Sequence, residues 1–160
     1  MKELKFRAKA NINNEWIYAS NIHKVISVDT NEELWVMHPK NEKIEHLGDG
    51  YIKYRPLVVN EETIGQYTGL KDKYGVEIYE GDILKCVDEY TTIGVLEYAT
   101  NIGTYIVRYT RDGDYYYSPL NRGDISRGLQ LQETEIIGNI HENGDLLKWK
   151  KRLKKLEIIY

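Results

Sequence analysis

The chain has 160 residues, a formal net charge of −3 and 41% hydrophobic residues, which suits one or two small domains with a real core. Aromatics at 11% and only three prolines exclude a disordered or linker-rich chain. No apolar run reaches the roughly 20 residues of a membrane span. The Met1–Lys5 start lacks an apolar secretory region, and the single Cys86 excludes a disulfide framework or a multi-thiolate zinc site. The expectation is a soluble protein of a reducing compartment.

Leu4, Phe6 and Ala8 alternate with Lys5, Arg7 and Lys9, the period of a strand with one buried face. A turn over 11–15 precedes Trp16-Ile17-Tyr18. Val25, Ile26 and Val28 suit a second strand, and Leu34-Trp35-Val36-Met37 a third. Residues 39–45 read as a polar loop. Gly48-Asp49-Gly50 turns the chain into Tyr51–Tyr54, which Pro56 ends. This region, 1–64, reads as an irregular N-terminal sheet.

From Gln66 the turns come closer together. Gly75 sits where a positive φ is needed, and Glu80-Gly81-Asp82 turns a short extended piece into Ile83–Val87. Segments 94–98, 105–109, 115–117 and 135–140 follow, with 111–114 as a hairpin turn. Short strands at this spacing predict a small barrel or sandwich over 65–144, with a core drawn in part from Ile83, Leu84, Val87, Val95, Ile106, Val107, Ile136 and Ile137.

The last segment, 145–160, predicts a helix started by an Asp145 N-cap. Leu146, Trp149, Leu153, Leu156 and Tyr160 recur at steps of three and four, an a/d stripe fit for self-association or docking. Lys148, Lys150, Lys151, Arg152, Lys154 and Lys155 face one acid, Glu157, so the segment from Leu146 carries +5 and the remainder −8. The basic helix could equally meet an anionic surface such as nucleic acid or membrane.

No catalytic set assembles. Asp82, Asp88 and Glu89 lack spacing that brings carboxylates together, and Asp82 with His141 is a weak acid/base pair. His23, His38, His46 and His141 show no helical metal spacing. Cys86 lies in an apolar strand and reads as a small buried hydrophobe. No cofactor and no enzymatic activity are expected. The surface with most recognition character is the 105–117 hairpin. There Tyr105, Tyr109, Tyr115, Tyr116 and Tyr117 alternate with Arg108 and Arg111, in a chain with 14 Tyr and 1 Phe. Such a hairpin could stack bases or contact protein, and the acidic body favours protein.

The run from Gln66 to Ile83, QYTGLKDKYGVEIYEGDI, resembles the signature of the YopX family of bacteriophage and prophage proteins. Leu4–Ala8 is similar to that family's opening strand, and 135–147 to its closing strand and turn. The resemblance implies an SH3-like barrel in the second half and a phage or prophage protein working in the bacterial host cytoplasm. It implies no activity. Within the signature, Gln66, Tyr67, Gly69, Asp72, Gly75, Tyr79, Gly81 and Asp82 read as structural: glycines at tight corners, Asp72 and Asp82 bonding nearby amides, tyrosines packing. The function expected is therefore non-enzymatic binding of a phage or host protein, with homo-oligomers in view. The second reading is a nucleic-acid-binding accessory protein using the Tyr/Arg hairpin and the basic helix.

Overall fold

A computed structural model describes residues 3–39, 45–47, 51–53, 56–87, 91–111, 114–121, 129–130 and 133–147. The chain divides into two compact units, Met1–Gly69 and Leu70–Tyr160. Strands dominate both, in several separate and largely antiparallel sheets.

In the first unit, β1 (Phe6–Lys9) pairs antiparallel with β2 (Trp16–Ala19) and with the start of β8 (Gly65–Lys71). A second sheet has the order β3-β4-β7, from β3 (Ile22–Ile26), β4 (Glu33–Met37) and β7 (Leu57–Val58). A small hairpin joins β5 (Glu45–Leu47) to β6 (Tyr51–Lys53), so strand pairing begins at the end of what the sequence reads as loop. Ala8, Ala19, Met37 and Val59 form the buried core, flanked by Phe6, Ile17, Ile22, Trp35 and Ile64. Between β7 and β8, a 3-10 turn over Glu61–Thr63 is capped by the Asn60 side chain. Its Thr63 hydroxyl accepts the Lys9 backbone N–H at 2.9 Å, tying that turn to β1.

The alternation in β1 does not leave a wet face. Arg7 and Lys9 are 7% and 8% exposed. Trp16 stands opposite Lys9 on β2, and both cations lie over its ring, at 4.9 Å for Arg7 and 5.4 Å for Lys9. Their long stems and one indole cover that face, a use of cationic side chains that period-two patterning treats as solvent exposure.

In the second unit, β9 (Glu77–Tyr79) precedes a six-stranded sheet. Its strands are β10 (Asp82–Val87), β11 (Thr91–Ala99), β12 (Thr104–Arg111), β13 (Asp114–Asn121), β14 (Leu129–Gln130) and β15 (Thr134–Asn139). The spatial order is β14-β13-β12-β11-β10-β15. Ile78, Leu84, Cys86, Leu96, Val107 and Leu120 fill the core on one side of it. Of the expected core, Ile83, Val95 and Ile106 are also buried, Ile136 and Ile137 are half-buried, and Val87 is exposed. Pairing of β15 slips between Ile83 and Leu84, so Ile137 is an extra residue on its strand, a β-bulge.

Two expectations need correction. The SH3-like barrel is absent: the sheet is open among the described residues, because β14 pairs only two residues of β13 and the closing strand β15 lies at the opposite edge. The C-terminal amphipathic helix does not start where the sequence places it. Gly144–Leu147 is a single 3-10 turn with Asp145 inside it rather than at its cap. Asn143 supplies the local bonds instead, its carbonyl accepting Leu146 N–H at 2.9 Å and its Oδ1 accepting Asn139 N–H at 3.2 Å. Leu146 is half-buried. Trp149, Leu153, Leu156 and the basic residues from Lys148 onward lie outside the described residues. No helix among the described residues is long and apolar enough to cross a membrane.

Candidate functional site: the tyrosine hairpin

Strands β12 and β13 form the hairpin, with Arg108 opposite Tyr117, Tyr109 opposite Tyr116, Thr110 opposite Tyr115 and Arg111 opposite Asp114. Opposed residues share a face, so the seven candidates divide. Arg108, Tyr115 and Tyr117 lie on one face. Tyr105, Tyr109 and Tyr116 lie on the other, the face that carries Val107 and Leu120 into the core. Only the backbone pairing of Arg111 is described.

On the first face, Arg108 donates from Nε to Glu97 Oε1 at 2.8 Å, and its Nη2 binds the same oxygen. Glu97 sits on β11 opposite Ile106, diagonal to Arg108. The guanidinium also lies 5.6 Å from the centre of the Tyr115 ring. The carboxylate bonding pushes the Arg108 pKa up, so its charge is permanent and locally balanced. Beside this pair, Tyr115 and Tyr117 are 63% and 58% exposed. The result is a neutral aromatic patch with a fixed polar centre.

On the second face, Tyr109 and Tyr116 stack with ring centres 5.8 Å apart, and Tyr116 remains 42% exposed. Tyr105 packs against the core and meets Tyr98 edge-on at 5.1 Å. Burial, with Glu80 and Tyr98 nearby, pushes the Tyr105 hydroxyl up to about 12. Tyr105 is thus a packing residue rather than part of the open patch. Sequence reasoning missed Glu97 and Tyr98. Both lie on β11, and only the β11–β12 register brings them beside the hairpin.

The signature residues form a separate cluster. Gly69, Gly75 and Gly81 all have φ near +80°. Asp72 Oδ1 accepts the N–H groups of Tyr74 and Val76, each at 2.9 Å, and its Oδ2 accepts Ile136 N–H at 3.2 Å. Asp82 is fully buried, and its Oδ2 accepts Tyr79 N–H at 2.7 Å. Tyr79 donates its hydroxyl to Glu77 at 2.8 Å, and Tyr67 packs its ring under Lys5 at 5.3 Å. Gln66 pairs with Phe6 across β8 and β1. The carboxylates of Asp72 and Asp82 thus bond backbone amides at turns and at a strand junction, which is a structural use of the set. His141 is exposed just beyond β15; Asp88 and Glu89 lie outside the described residues, and of His46 only the backbone is described. Cys86 is buried in β10. Among the described residues, no group of three or more His, Cys, Asp or Glu is placed to hold a metal ion. His23 and His38 stack at 5.4 Å, with near-parallel rings, a pairing the sequence spacing gives no sign of.

The fold and its hairpin define a mostly β protein with an aromatic surface and a tightly bonded turn signature. A family model described as YopX protein matches residues 5–148, and the chain belongs to that family. Among solved structures, it is similar to protein EF1440 from Enterococcus faecalis, with 27% identity over 90% of this chain and 97% of that one and a TM-score of 0.45. No curated protein matches.

Proposed function

We propose that this is a phage- or prophage-encoded, non-enzymatic binding protein of the bacterial host cytoplasm, and that its hairpin face of Tyr115, Tyr117 and Arg108 contacts a protein of the phage or the host. The observation that carries the reading is the engagement of Arg108 with Glu97. A phosphate-binding arginine presents an unbalanced guanidinium, whereas this one is neutralised by a carboxylate and roofed by a tyrosine ring. Tyrosines around a fixed polar pair suit a protein surface, where rigid amphipathic rings bury area at little entropic cost. The second reading, nucleic-acid binding, draws on the hairpin aromatics and on the basic residues after Leu147.

The test is retention of a partner from host lysate on the immobilised full chain, compared with Tyr115→Ala and Tyr117→Ala. Each substitution should reduce retention at least several-fold, as truncation of an interface aromatic does. In parallel, the chain is titrated with single- and double-stranded DNA and RNA at two salt concentrations. Nucleic-acid affinity that falls steeply with salt, unchanged protein retention in both Tyr variants, or both, would reverse the order of the two readings.

A further inference from the structure

The same hairpin has a second recognition element, its backbone edge. Two residues separate the paired Arg111 and Asp114, so that pair closes the hairpin, and bonded pairs alternate from it to Tyr109–Tyr116 and Val107–Ser118. Tyr115 and Tyr117 occupy the intervening positions, with N–H and C=O turned away from β12. Pro119 continues that set, which is where a residue without an N–H is tolerated in a paired strand. Among the described residues, the strand on that side of β13 is β14, and it reaches only Leu120 and Asn121. The opposite edge of the sheet is treated differently. There β15 is covered by Asp72 and Lys73, which bond Ile136 N–H and Thr134 C=O. Edges left for solvent usually carry lysines or inward charges, and the Asp114–Ser118 edge carries three exposed tyrosines and no lysine.

We propose that this edge pairs antiparallel with the same edge of a second copy of the chain, about a two-fold axis at Tyr116. The proposal rests on the reading above that the hairpin is the contact surface, and it names a partner for the hairpin's backbone. The two-fold sets Tyr115 opposite Tyr117 of the second copy and Tyr116 opposite itself. The outward-facing residues thereby meet each other and exchange both of their backbone bonds. Its side chains agree with that register. Asp114 is the one charged residue of the segment and falls opposite Ser118, so no like charges meet, and each Arg108 arrives already balanced by Glu97. Tyr115 and Tyr117 share a face with Arg108, so pairing joins two aromatic patches into one surface twice as wide. Five residues from each copy make a contact well below the roughly 800 Å² per partner of a stable complex, so the dimer is weak and concentration-dependent.

The experiment is light scattering on the full chain over a concentration series reaching about 1 mM, the range of weak association. The mass should rise from 18.8 kDa toward twice that value. Tyr117→Pro removes an outward N–H without touching the β12 ladder and should hold the mass at 18.8 kDa throughout. Hydrogen exchange on the unsubstituted chain gives a check that needs no variant. The Tyr115 and Tyr117 amides should slow with concentration, and the Tyr116 amide should stay slow at every concentration. A constant monomer mass, a dimer that forms with Tyr115 and Tyr117 exchange unchanged, or a dimer that survives in a folded Tyr117→Pro chain each overturns the proposal. A monomeric chain that still loses partner retention with Tyr115→Ala overturns the dimer alone and leaves the ring surface standing.

Discussion

Asp72 holds Ile136 from 64 residues away, its Oδ2 accepting the Ile136 backbone N–H at 3.2 Å while its Oδ1 closes the turn at Tyr74 and Val76. One carboxylate thus shapes the turn over 72–76 and fastens that turn to the β15 edge of the large sheet. Asp72→Ala removes three accepted bonds at a largely buried site and should cost about 3 kcal/mol, at about 1 each. Asp72→Asn keeps one oxygen for the turn and should cost less. Urea midpoints of the two variants give the comparison, and equal midpoints would remove Asp72 from this role.

Glu135 on β15 binds Lys73 at 2.6 Å and Lys85 at 3.1 Å, and the Tyr74 hydroxyl donates to it at 3.4 Å. Bonding by Lys73 first, then by Lys85, pulls its carboxyl from near 4.5 to about 2. A carboxyl lowered in the folded state stabilises fully above its unfolded value and loses that contribution as pH falls. Melting temperature should therefore decline between pH 4.5 and about 2, and Glu135→Gln should flatten that part of the curve while lowering stability at pH 7.

Gly94 and Gly75 should fail for different reasons. A Cβ on Gly94 would stand 2.6 Å from the Arg108 carbonyl, which belongs to the β11–β12 ladder and cannot retreat without opening it. Gly94→Ala should cost about 1–3 kcal/mol by overpacking. Gly75 has open space around it but φ of +83°, so Gly75→Ala should cost about 1–2 kcal/mol through backbone strain alone. Thermal melts measure both, and only the Gly94 variant should also speed amide exchange along β12.

Tyr105 should ionise late. Burial, then the charges of Glu80 and Tyr98, hold its hydroxyl up at about 12. Carbon-labelled tyrosine spectra recorded through alkaline pH should show a late-titrating ring signal that Tyr105→Phe deletes. Because the neutral form is favoured in the folded state, this contribution to stability is present below pH 10 and declines as pH rises toward 12.

Much of this was legible in local pattern. The 111–114 turn between alternating aromatics announces a hairpin, and the order of β-branched and tyrosine runs gives nearly every strand of the second unit. Register was not legible. The seven hairpin residues read as one group, yet a period of two sends Tyr105, Tyr109 and Tyr116 to the face opposite Arg108, and only pairing with β11 supplies Glu97. Burial of Arg7 and Lys9 was hidden for a related reason: their cover is Trp16, on another strand. The barrel expectation failed because strand spacing says nothing about which edge the last strand joins.

The position of β15 in the sheet has a consequence for how the second unit is made. Strands β10 to β13 follow one another closely in sequence and can zip together one after another as the chain emerges. β15, synthesised last of the six, returns across some fifty residues to pair with β10, the first. Until it arrives, β10 presents an open edge bearing Ile83, Leu84 and Cys86, and the Asp72 turn lacks the amide it fastens to. The docking of 134–139 is then expected to be the slow step in folding, and a chain stopping short of Thr134 is expected to aggregate more than the full chain.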